Sequence, residues 1–392
     1  MLIFAIIMKR FPHKLSQKML LRHENDALRS LPDKKLGVDF SSNDYLGFSK
    51  REESRANINN LLVNFGATSL GATGSRLLTG NHSLYNEAEK RIASYHNAEA
   101  ALLFNSGYDA NIGFFSSVPQ KGDFILYDEL VHASIRDGIQ LSHAKGYKFK
   151  HNDLKDLEEK LKRYTQNKSN NDIYVVTESV FSMDGDTPDL QLMANICLKY
   201  QAFFVVDEAH GLGVFGDQGK GLVHQLGLTA SVFAVIYTYG KAMGCHGAAI
   251  VGSSELKNYL INFARSFIYT TGLPPHSVAS IIQAYLDLEK TSQIQNLRDN
   301  IDFFVSQILK LGLQEQFVKS ESAIQSCIVS GNSEVKYMAG NFQKCGFDVK
   351  PILSPTVPQG QERLRFCLHS YNTQDEIMEV LKLLVTFAQK VK

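Results

Sequence analysis

Short apolar runs rich in β-branched and aromatic residues recur through the middle of the chain and alternate with longer helical stretches. Between about residues 50 and 275 these runs include AALLF, DIYVV, AFFVV and SVFAVIY. A run that is apolar on both faces and is separated from the next by a helix is typical of a strand buried inside a parallel sheet. The pattern therefore predicts an α/β fold built on a mainly parallel sheet.

The chain divides into three predicted parts. These are an N-terminal arm over residues 1–45, a large domain with the sheet over 46–275, and a small α+β domain over 276–392. The arm carries a charged amphipathic stretch that predicts a helix ending near Pro32, and VDFSSNDYLGFS then predicts a short strand and a turn. The small domain shows strand-like runs in SAIQSCIVSG and RLRFCLHS and a closing helix from about Thr373.

Composition argues against several classes of protein. Lys and Arg total 41 against 40 Asp and Glu, whereas a nucleic-acid-binding protein usually shows a basic excess. The five cysteines form no CxxC pair, which favours reduced thiols over a disulfide framework or a zinc site. The apolar run at Met1–Met8 is far shorter than the roughly 20 residues of a membrane span. It also lacks the positively charged residues that precede the apolar run of a signal peptide. We expect a cytoplasmic protein with no bound metal, nucleic acid or membrane.

Polar residues follow the predicted strands, where ligands bind in open parallel sheets. They are Asn105-Ser106-Gly107, Thr177-Glu178-Ser179, Asp207-Glu208-Ala209-His210 and Thr238-Tyr239-Gly240-Lys241. Since the carboxyl ends of parallel strands meet at one edge of the sheet, these groups are predicted to converge.

The stretch Asp207-Glu208-Ala209-His210 has two interpretations. It resembles the acidic box of a nucleic-acid-dependent ATPase, but such an enzyme also needs a glycine-rich phosphate loop, GxxxxGK followed by Ser or Thr. No such loop occurs in the chain. The second interpretation, in which the Asp and the His hold an aromatic cofactor, is therefore favoured.

Lys241 and Asp207 suit a pyridoxal phosphate site. A lysine that follows a buried strand and is surrounded by glycines can form a Schiff base with an aldehyde, and a carboxylate can keep a pyridine nitrogen protonated. In isolation a solvated loop lysine and a capping aspartate are the commoner explanations. The combination is more specific, because His210 can donate to a phenolic oxygen and His132 can stack on a ring.

The stretch NSGYDAN predicts a strand, a turn and a helix. The free backbone N–H groups of Ser106, Gly107 and Tyr108 would receive a phosphate there, as at other helix N-termini. Each of these signals is weak alone, but together, in order at strand ends, they indicate one cofactor site.

From about Asp39 to its end, the sequence resembles the α-oxoamine synthases, which are pyridoxal phosphate enzymes of fold type I. The resemblance is carried in the family's order by SSNDYLG, GATGSRLLTGNHSLYNEAE, LLFNSGYDAN, VHASIRDG, TESVFSMDGD, VVDEAHGLGVFGDQGKG, TYGKAMGCHGAAI, SFIYTTGLPP and PTVPQGQERLRFCL. A series of this length is specific for the family and less specific for the member.

The resemblance implies a role for each matching residue. It assigns Lys241 to the Schiff base, Asp207 to the pyridine nitrogen, His132 to ring stacking, Ser182 and His210 to the phenolic oxygen, Thr238 to the phosphate, and Thr270 and Thr271 to the phosphate of the partner subunit. A homodimer with shared active sites follows from the last assignment.

The resemblance also implies the substrates, an amino acid and an acyl thioester of coenzyme A or acyl carrier protein. Arg365 matches the arginine that binds the amino-acid carboxylate, although Arg363 lies on the same side of the strand and the spacing alone does not separate the two. Asn43 matches a residue near the substrate, and Arg29 matches an arm arginine that meets the acyl group. Between ALRSLP and DFSSNDYLG this chain has only a few residues, whereas relatives usually carry a short hairpin there.

The motifs most resemble family members that join L-alanine to a pimeloyl thioester, with loss of carbon dioxide, to give 8-amino-7-oxononanoate in biotin synthesis. The alternatives are a glycine C-acetyltransferase, a serine palmitoyltransferase and another pyridoxal phosphate reaction on the same fold.

Overall fold

The computed structural model describes residues 11–31, 37–166 and 171–391. The apolar run at Met1–Met8 lies outside these residues. The predicted end of the arm helix near Pro32 is wrong, because the helix ends at Glu24 and the described residues 25–31 are not helical. The strands are β1 (Val38–Asp39), β2 (Ala100–Phe104), β3 (Phe124–Asp128), β4 (Lys145–Phe149), β5 (Ile173–Glu178), β6 (Phe203–Asp207), β7 (Ala234–Thr238), β8 (Ala248–Gly252), β9 (Ile324–Ile328), β10 (Phe347–Asp348), β11 (Lys350–Ile352) and β12 (Arg363–Cys367).

The helices surround these strands. They are α1 (His13–Glu24), α2 (Glu52–Asn64), α3 (Ser83–Tyr95), α4 (Gly107–Ser117), α5 (Ala133–Leu141), α6 (Leu154–Thr165), α7 (Leu190–Lys199), α8 (Leu222–Gln225), α9 (Ser254–Phe263), α10 (Arg265–Ile268), α11 (Pro275–Leu288), α12 (Gln293–Lys310), α13 (Asn332–Lys344) and α14 (Gln374–Val391). Within the described residues, no helix has the length and apolar character needed to cross a membrane.

Seven strands form the central sheet in the order β2-β8-β7-β6-β5-β3-β4. Only β8 runs antiparallel to its neighbours β2 and β7, and the other pairs are parallel. This arrangement confirms the mainly parallel sheet that the apolar runs predict. The carboxyl ends of β5, β6 and β7 are adjacent, so the polar residues that follow them lie at one edge.

The central sheet is buried on both faces. Val175 and Val206 point into the hydrophobic core on one face, and their neighbours Val176 and Val205 point into a second core on the other. All four side chains are fully buried. This explains why the strands read as continuous apolar runs, since successive side chains on a strand point to opposite faces.

A second, antiparallel sheet lies in the C-terminal third, in the order β11-β12-β9. Its strands β9 and β12 confirm the strands predicted in SAIQSCIVSG and RLRFCLHS, and α14 confirms the closing helix. The boundaries at residues 45 and 275 stay predictions.

The N-terminal segment connects the two sheets. After the exposed helix α1, β1 pairs in parallel with β10, and the backbone N–H of Cys367 donates to the carbonyl of Phe40 at 2.8 Å. The segment then reaches the central sheet, where Tyr45 is fully buried. Asn43 and Tyr45 are thereby fixed beside the ends of the central strands.

Glu208, the second residue of the Asp-Glu-Ala-His stretch, holds the loop that follows β6. Its fully buried carboxylate accepts hydrogen bonds from the Ser179 hydroxyl and the Val223 N–H, both at 2.6 Å, and burial raises its pKa to about 7. A Cβ added to Gly211 would lie 1.8 Å from this carboxylate, and one at Gly221 would lie 2.8 Å from it. The glycines therefore let the loop after β6 fold around Glu208, which has a structural role here.

Candidate active site

Asp207 is the buried centre of the site. It ends β6 opposite Glu178 of β5 and is 4% exposed. One carboxylate oxygen accepts a hydrogen bond from Asn111 Nδ2 at 2.9 Å, and the other accepts from the Ala209 N–H at 2.9 Å. Within the described residues it forms no salt bridge, so its negative charge acts on the groups around it.

A chain of hydrogen bonds connects Asp207 to His132. Asn111 Nδ2 also donates to the Ser134 hydroxyl at 3.0 Å, and that hydroxyl lies 2.7 Å from His132 Nδ1. The His132 backbone N–H donates to Glu178 Oε1 at 2.5 Å. The residue predicted to hold a pyridine nitrogen and the residue predicted to stack on the ring are thus fixed relative to each other.

Lys241 lies in the loop between β7 and β8. In the described part of the chain its ammonium makes no hydrogen bond and no salt bridge. Burial lowers its pKa to about 8, with a further lowering by Arg365, while the negative charges of Asp207 and Glu178 oppose the shift. A lysine in these surroundings carries a substantial fraction of neutral amine near pH 8, as a nucleophilic or basic lysine requires.

Glu178 and the two histidines complete the electrostatics of the site. Burial and the charge of Asp207 raise the pKa of Glu178 to about 8. Burial and Lys241 lower the pKa of His210 well below its usual value, and burial lowers that of His132. His210 Nδ1 lies 2.8 Å from the Tyr45 hydroxyl, which leaves Nε2 for a ligand.

The N-terminus of α4 forms the predicted phosphate cradle. The Ser106 side chain caps the helix by accepting from the Asp109 N–H, and the N–H groups of Gly107 and Tyr108 belong to the first turn, where helices leave donors unsatisfied. A Cβ on Gly107 would lie 2.3 Å from Thr238 Oγ1. The glycine therefore permits close approach of the helix to Thr238.

Thr270 and Thr271 lie beside this cradle within the same chain. Asn105 Nδ2 donates to Thr270 Oγ1 at 3.1 Å and to the Thr271 carbonyl at 2.6 Å. The structure therefore brings both threonines to the strand end that precedes Ser106 without a second subunit. Their predicted contact with the phosphate of a partner stays a prediction.

The structure separates the two arginines of β12. Arg363 forms a buried ion pair with Asp184. Arg365 instead donates from Nε to the Ser182 carbonyl at 2.7 Å and from one terminal nitrogen to Asn43 Oδ1 at 3.1 Å. A third N–H contacts Cys367 Sγ at 3.1 Å, and the Tyr45 hydroxyl is a further hydrogen-bond partner of this side chain.

Arg29 lies further out than the other predicted residues. Its side chain is exposed and donates to the Thr356 hydroxyl at 3.2 Å. Thr356 lines a cavity of about 360 Å³ whose wall also contains His132 and Ser182. Arg29 is thus placed at the rim of a cavity that adjoins the predicted cofactor site.

Sequence reasoning missed several residues of the site. Asn111 and Ser134 connect Asp207 to His132, and Tyr45 fixes His210. The one available signal was helical spacing, since Asn111 lies one turn after Gly107 and so shares its face of α4.

Comparison with known proteins agrees with this geometry. Residues 35–383 match the family model of aminotransferase class I and II. The chain belongs to this family. It is 42% identical to the 8-amino-7-oxononanoate synthase of Emericella nidulans over 91% of this chain and 90% of that protein.

Two solved structures extend the comparison. The chain matches a serine palmitoyltransferase from S. paucimobilis with a bound PLP–myriocin aldimine at a TM-score of 0.87 and 25% identity, over 97% of this chain and 98% of the other. It matches 8-amino-7-oxononanoate synthase from Francisella tularensis at a TM-score of 0.75 and 30% identity, over 91% and 98%. These matches confirm the resemblance to α-oxoamine synthases and fold type I.

Removing the charge of Asp207 is expected to lower the pKa of Lys241 below about 8, because Asp207 raises it. Asp207 also raises the pKa of Glu178, so Asp207→Asn leaves Glu178 more ionised, which offsets part of the change. Asp207→Asn combined with Glu178→Gln should therefore give the larger shift. The pH dependence of amine acylation at Lys241, followed by peptide mass spectrometry on protein freed of bound aldehyde, measures the midpoint.

The control for this measurement is Lys257, which pairs with Glu89 at 2.7 Å outside the site. Its labelling profile should be the same in all variants. A midpoint for Lys241 that stays constant or rises in the double variant would contradict the assigned electrostatics.

Proposed function

We propose that the chain is a pyridoxal phosphate-dependent α-oxoamine synthase that condenses L-alanine with a pimeloyl thioester to give 8-amino-7-oxononanoate, in the cytoplasm. The observation that carries the proposal is that Lys241, which follows β7, lies within the electrostatic influence of the buried carboxylate of Asp207 at the end of the adjacent strand β6, with a pKa lowered to about 8. The 42% identity to a synthase of this name supports the substrates.

The residues present fit pyridoxal phosphate. The carboxylate of Asp207 is buried and has no cation partner in the described chain, as a residue facing a protonated pyridine nitrogen requires. The cradle of Gly107, Tyr108 and Thr238 offers donors for a phosphate, and Gly107 permits the close approach. When bound, the cofactor supplies an electron sink for negative charge at the α-carbon of the amino acid.

The chain's residues then carry the chemistry as follows. Lys241 would hold the cofactor, and its neutral amine would serve as the base that removes the α-proton of the amino acid. Asp207 would face the pyridine nitrogen and favour its protonated form, and His132 would contact the ring. Arg365 would bind the amino-acid carboxylate through its guanidinium and so orient the bond that breaks.

The overall reaction balances without another reactant. The α-carbon forms a bond to the acyl carbon as the C–S bond of the thioester breaks and the thiol leaves. The bond to the carboxylate then breaks, carbon dioxide leaves, and the α-carbon regains a proton.

The fold similarity to serine palmitoyltransferase favours a second candidate with the same chemistry. Sequence favours the first candidate, since the chain is 42% identical to an 8-amino-7-oxononanoate synthase and 25% identical to the serine palmitoyltransferase. We therefore favour the pimeloyl thioester.

A homodimer is part of the proposal. Leu70, Leu78 and Tyr269 are 100%, 81% and 72% exposed, and Tyr269 precedes the threonines beside the phosphate cradle. We propose that these side chains contact the second copy, since Tyr269 adjoins the two threonines that the family resemblance assigns to the partner's phosphate.

The substrate pair is tested by thiol release from pimeloyl-, acetyl- and palmitoyl-CoA with L-alanine, glycine and L-serine. We expect the highest kcat/KM for pimeloyl-CoA with L-alanine, and no turnover by Lys241→Ala. Acyl length should discriminate more strongly than the amino acid, since one methyl group is worth only about 1–3 kcal/mol. A higher kcat/KM for acetyl-CoA with glycine, or for palmitoyl-CoA with L-serine, would show that the substrate assignment is wrong. The proposed mechanism would be unaffected.

Arg365→Gln is expected to raise KM for the amino acid at least about 10-fold, because a charge-assisted bidentate contact is lost. Arg363 is the matched control, since it lies two residues away on the same strand and is paired with Asp184. Arg363→Gln should lower stability through the unpaired Asp184 and change KM less. The reverse order of KM effects would assign the carboxylate to Arg363.

The dimer is tested by light scattering of the purified protein. We expect the mass of two chains, and we expect Leu78→Glu to shift the equilibrium toward the monomer because it places a charge in the predicted contact. Leu198→Glu is the control, since Leu198 is 78% exposed on α7. If both variants associate equally, Leu78 does not belong to the contact between subunits.

A further inference from the structure

His151 lies in the wall of the cavity beside His132 and Ser182 and contacts two carboxylates. It follows β4, with Nδ1 2.9 Å from Asp128 Oδ1 and Nε2 2.8 Å from Asp186 Oδ2. Its ring also meets the ring of Phe181 edge to face, with centroids 4.5 Å apart. Both nitrogens can donate to carboxylates at once only in the imidazolium form.

The surroundings favour that charged form. Burial alone would lower the pKa of His151, but the hydrogen bonds and charges of Asp128 and Asp186 outweigh it and raise the pKa to about 9. The other ionisable side chains that line the same cavity are His132, Arg136, Asp184 and Arg363. Arg363 is occupied by Asp184, and Arg136 forms no ion pair within the described residues, so His151 is the cation that Asp128 and Asp186 share.

Asp128 controls the turn that carries His132. It ends β3, and its side chain accepts from the Leu130 N–H at 2.8 Å, while its carbonyl accepts from the Val131 N–H at 3.1 Å. His132 follows directly. The position of Asp128 therefore sets where α5 begins and where the His132 ring lies.

Asp186 closes the loop that carries Ser182. The Phe181 N–H donates to the Asp186 carbonyl at 3.0 Å, and the Gly185 N–H donates back to the Phe181 carbonyl at 2.8 Å. The Ser182 carbonyl in this loop accepts from Arg365. A shift of Asp186 would thus move both Ser182 and the arginine proposed to bind substrate.

We propose that His151 is a positioning residue, which in its protonated form ties the turn of His132 to the loop of Ser182 and so sets the spacing of two groups that contact the cofactor. The inference rests on the proposed function of that site. His151 lines the same cavity as His132 and Ser182. In this proposal it acts through Asp128 and Asp186, the two carboxylates that it contacts.

The first test compares His151→Gln with His143→Gln, an exposed histidine of the same region, in the holoenzyme. Glutamine has one amide nitrogen and cannot donate to both carboxylates in the same geometry. We expect His151→Gln to lower kcat about 10- to 100-fold, the order for a small misplacement of reacting groups, with a smaller change in amino-acid KM. The visible circular dichroism of the bound cofactor should weaken in parallel, and His143→Gln should match the wild type.

The second test uses pH. Since its pKa is raised, protonated His151 contacts both carboxylates at neutral pH, and its part of the link is lost as the pH rises through about 9. Asn152 also donates to Asp128 from its backbone N–H at 2.8 Å and to Asp186 from Nδ2 at 2.7 Å, and these contacts do not depend on pH. The wild-type circular dichroism of the cofactor should fall over that range. In Asp186→Asn the amide can donate to a neutral Nε2 while Nδ1–H donates to Asp128, so the signal should persist at higher pH.

The outcomes separate this inference from the proposed function. If the enzyme prefers another substrate pair, kcat of the wild type and of His151→Gln is compared on that pair. The same roughly 10- to 100-fold decrease is then expected. Wild-type kcat and circular dichroism in His151→Gln, with only a lower melting temperature, would overturn it. Should His151→Gln fail to fold, the pH comparison decides, and equal profiles for wild type and Asp186→Asn would overturn the proposal.

Discussion

The buried carboxylate of Asp207 is the interaction on which the site depends. Removing a carboxylate from water is costly unless hydrogen bonds replace its hydration, and Asn111 and the Ala209 N–H do so here. Neither donor carries a full charge. The negative charge therefore stays available at the strand ends, where it raises the pKa of Glu178 and opposes the lowering of the pKa of Lys241.

The site is assembled from segments that are distant in the chain. The N-terminal segment pairs with β10 and brings Asn43 and Tyr45 into place, and β12 brings Arg365. Asn43 contacts Arg365, while Tyr45 contacts His210 after β6. The relative position of the two sheets therefore decides how the proposed carboxylate-binding arginine faces the central sheet.

Fold and cofactor chemistry are shared more widely than substrate choice. The chain is closer in overall shape to a serine palmitoyltransferase, and closer in sequence to 8-amino-7-oxononanoate synthases. The strand-end groups serve any member of the family, because each reaction begins with loss of a group at the α-carbon.

The sequence alone determined the mainly parallel sheet and the convergence of Asp207, His210, Thr238 and Lys241, because strands buried on both faces have a local pattern and parallel strands end together. Only the tertiary structure showed that Asn111, 96 residues from Asp207, fixes its carboxylate. Arg363 and Arg365 share a side of β12, and only their partners, Asp184 and Asn43, separate them. His151 likewise gains its role from two carboxylates that lie 23 and 35 positions away. Such pairings depend on how helices and loops pack across the sheet, and no local periodicity encodes them.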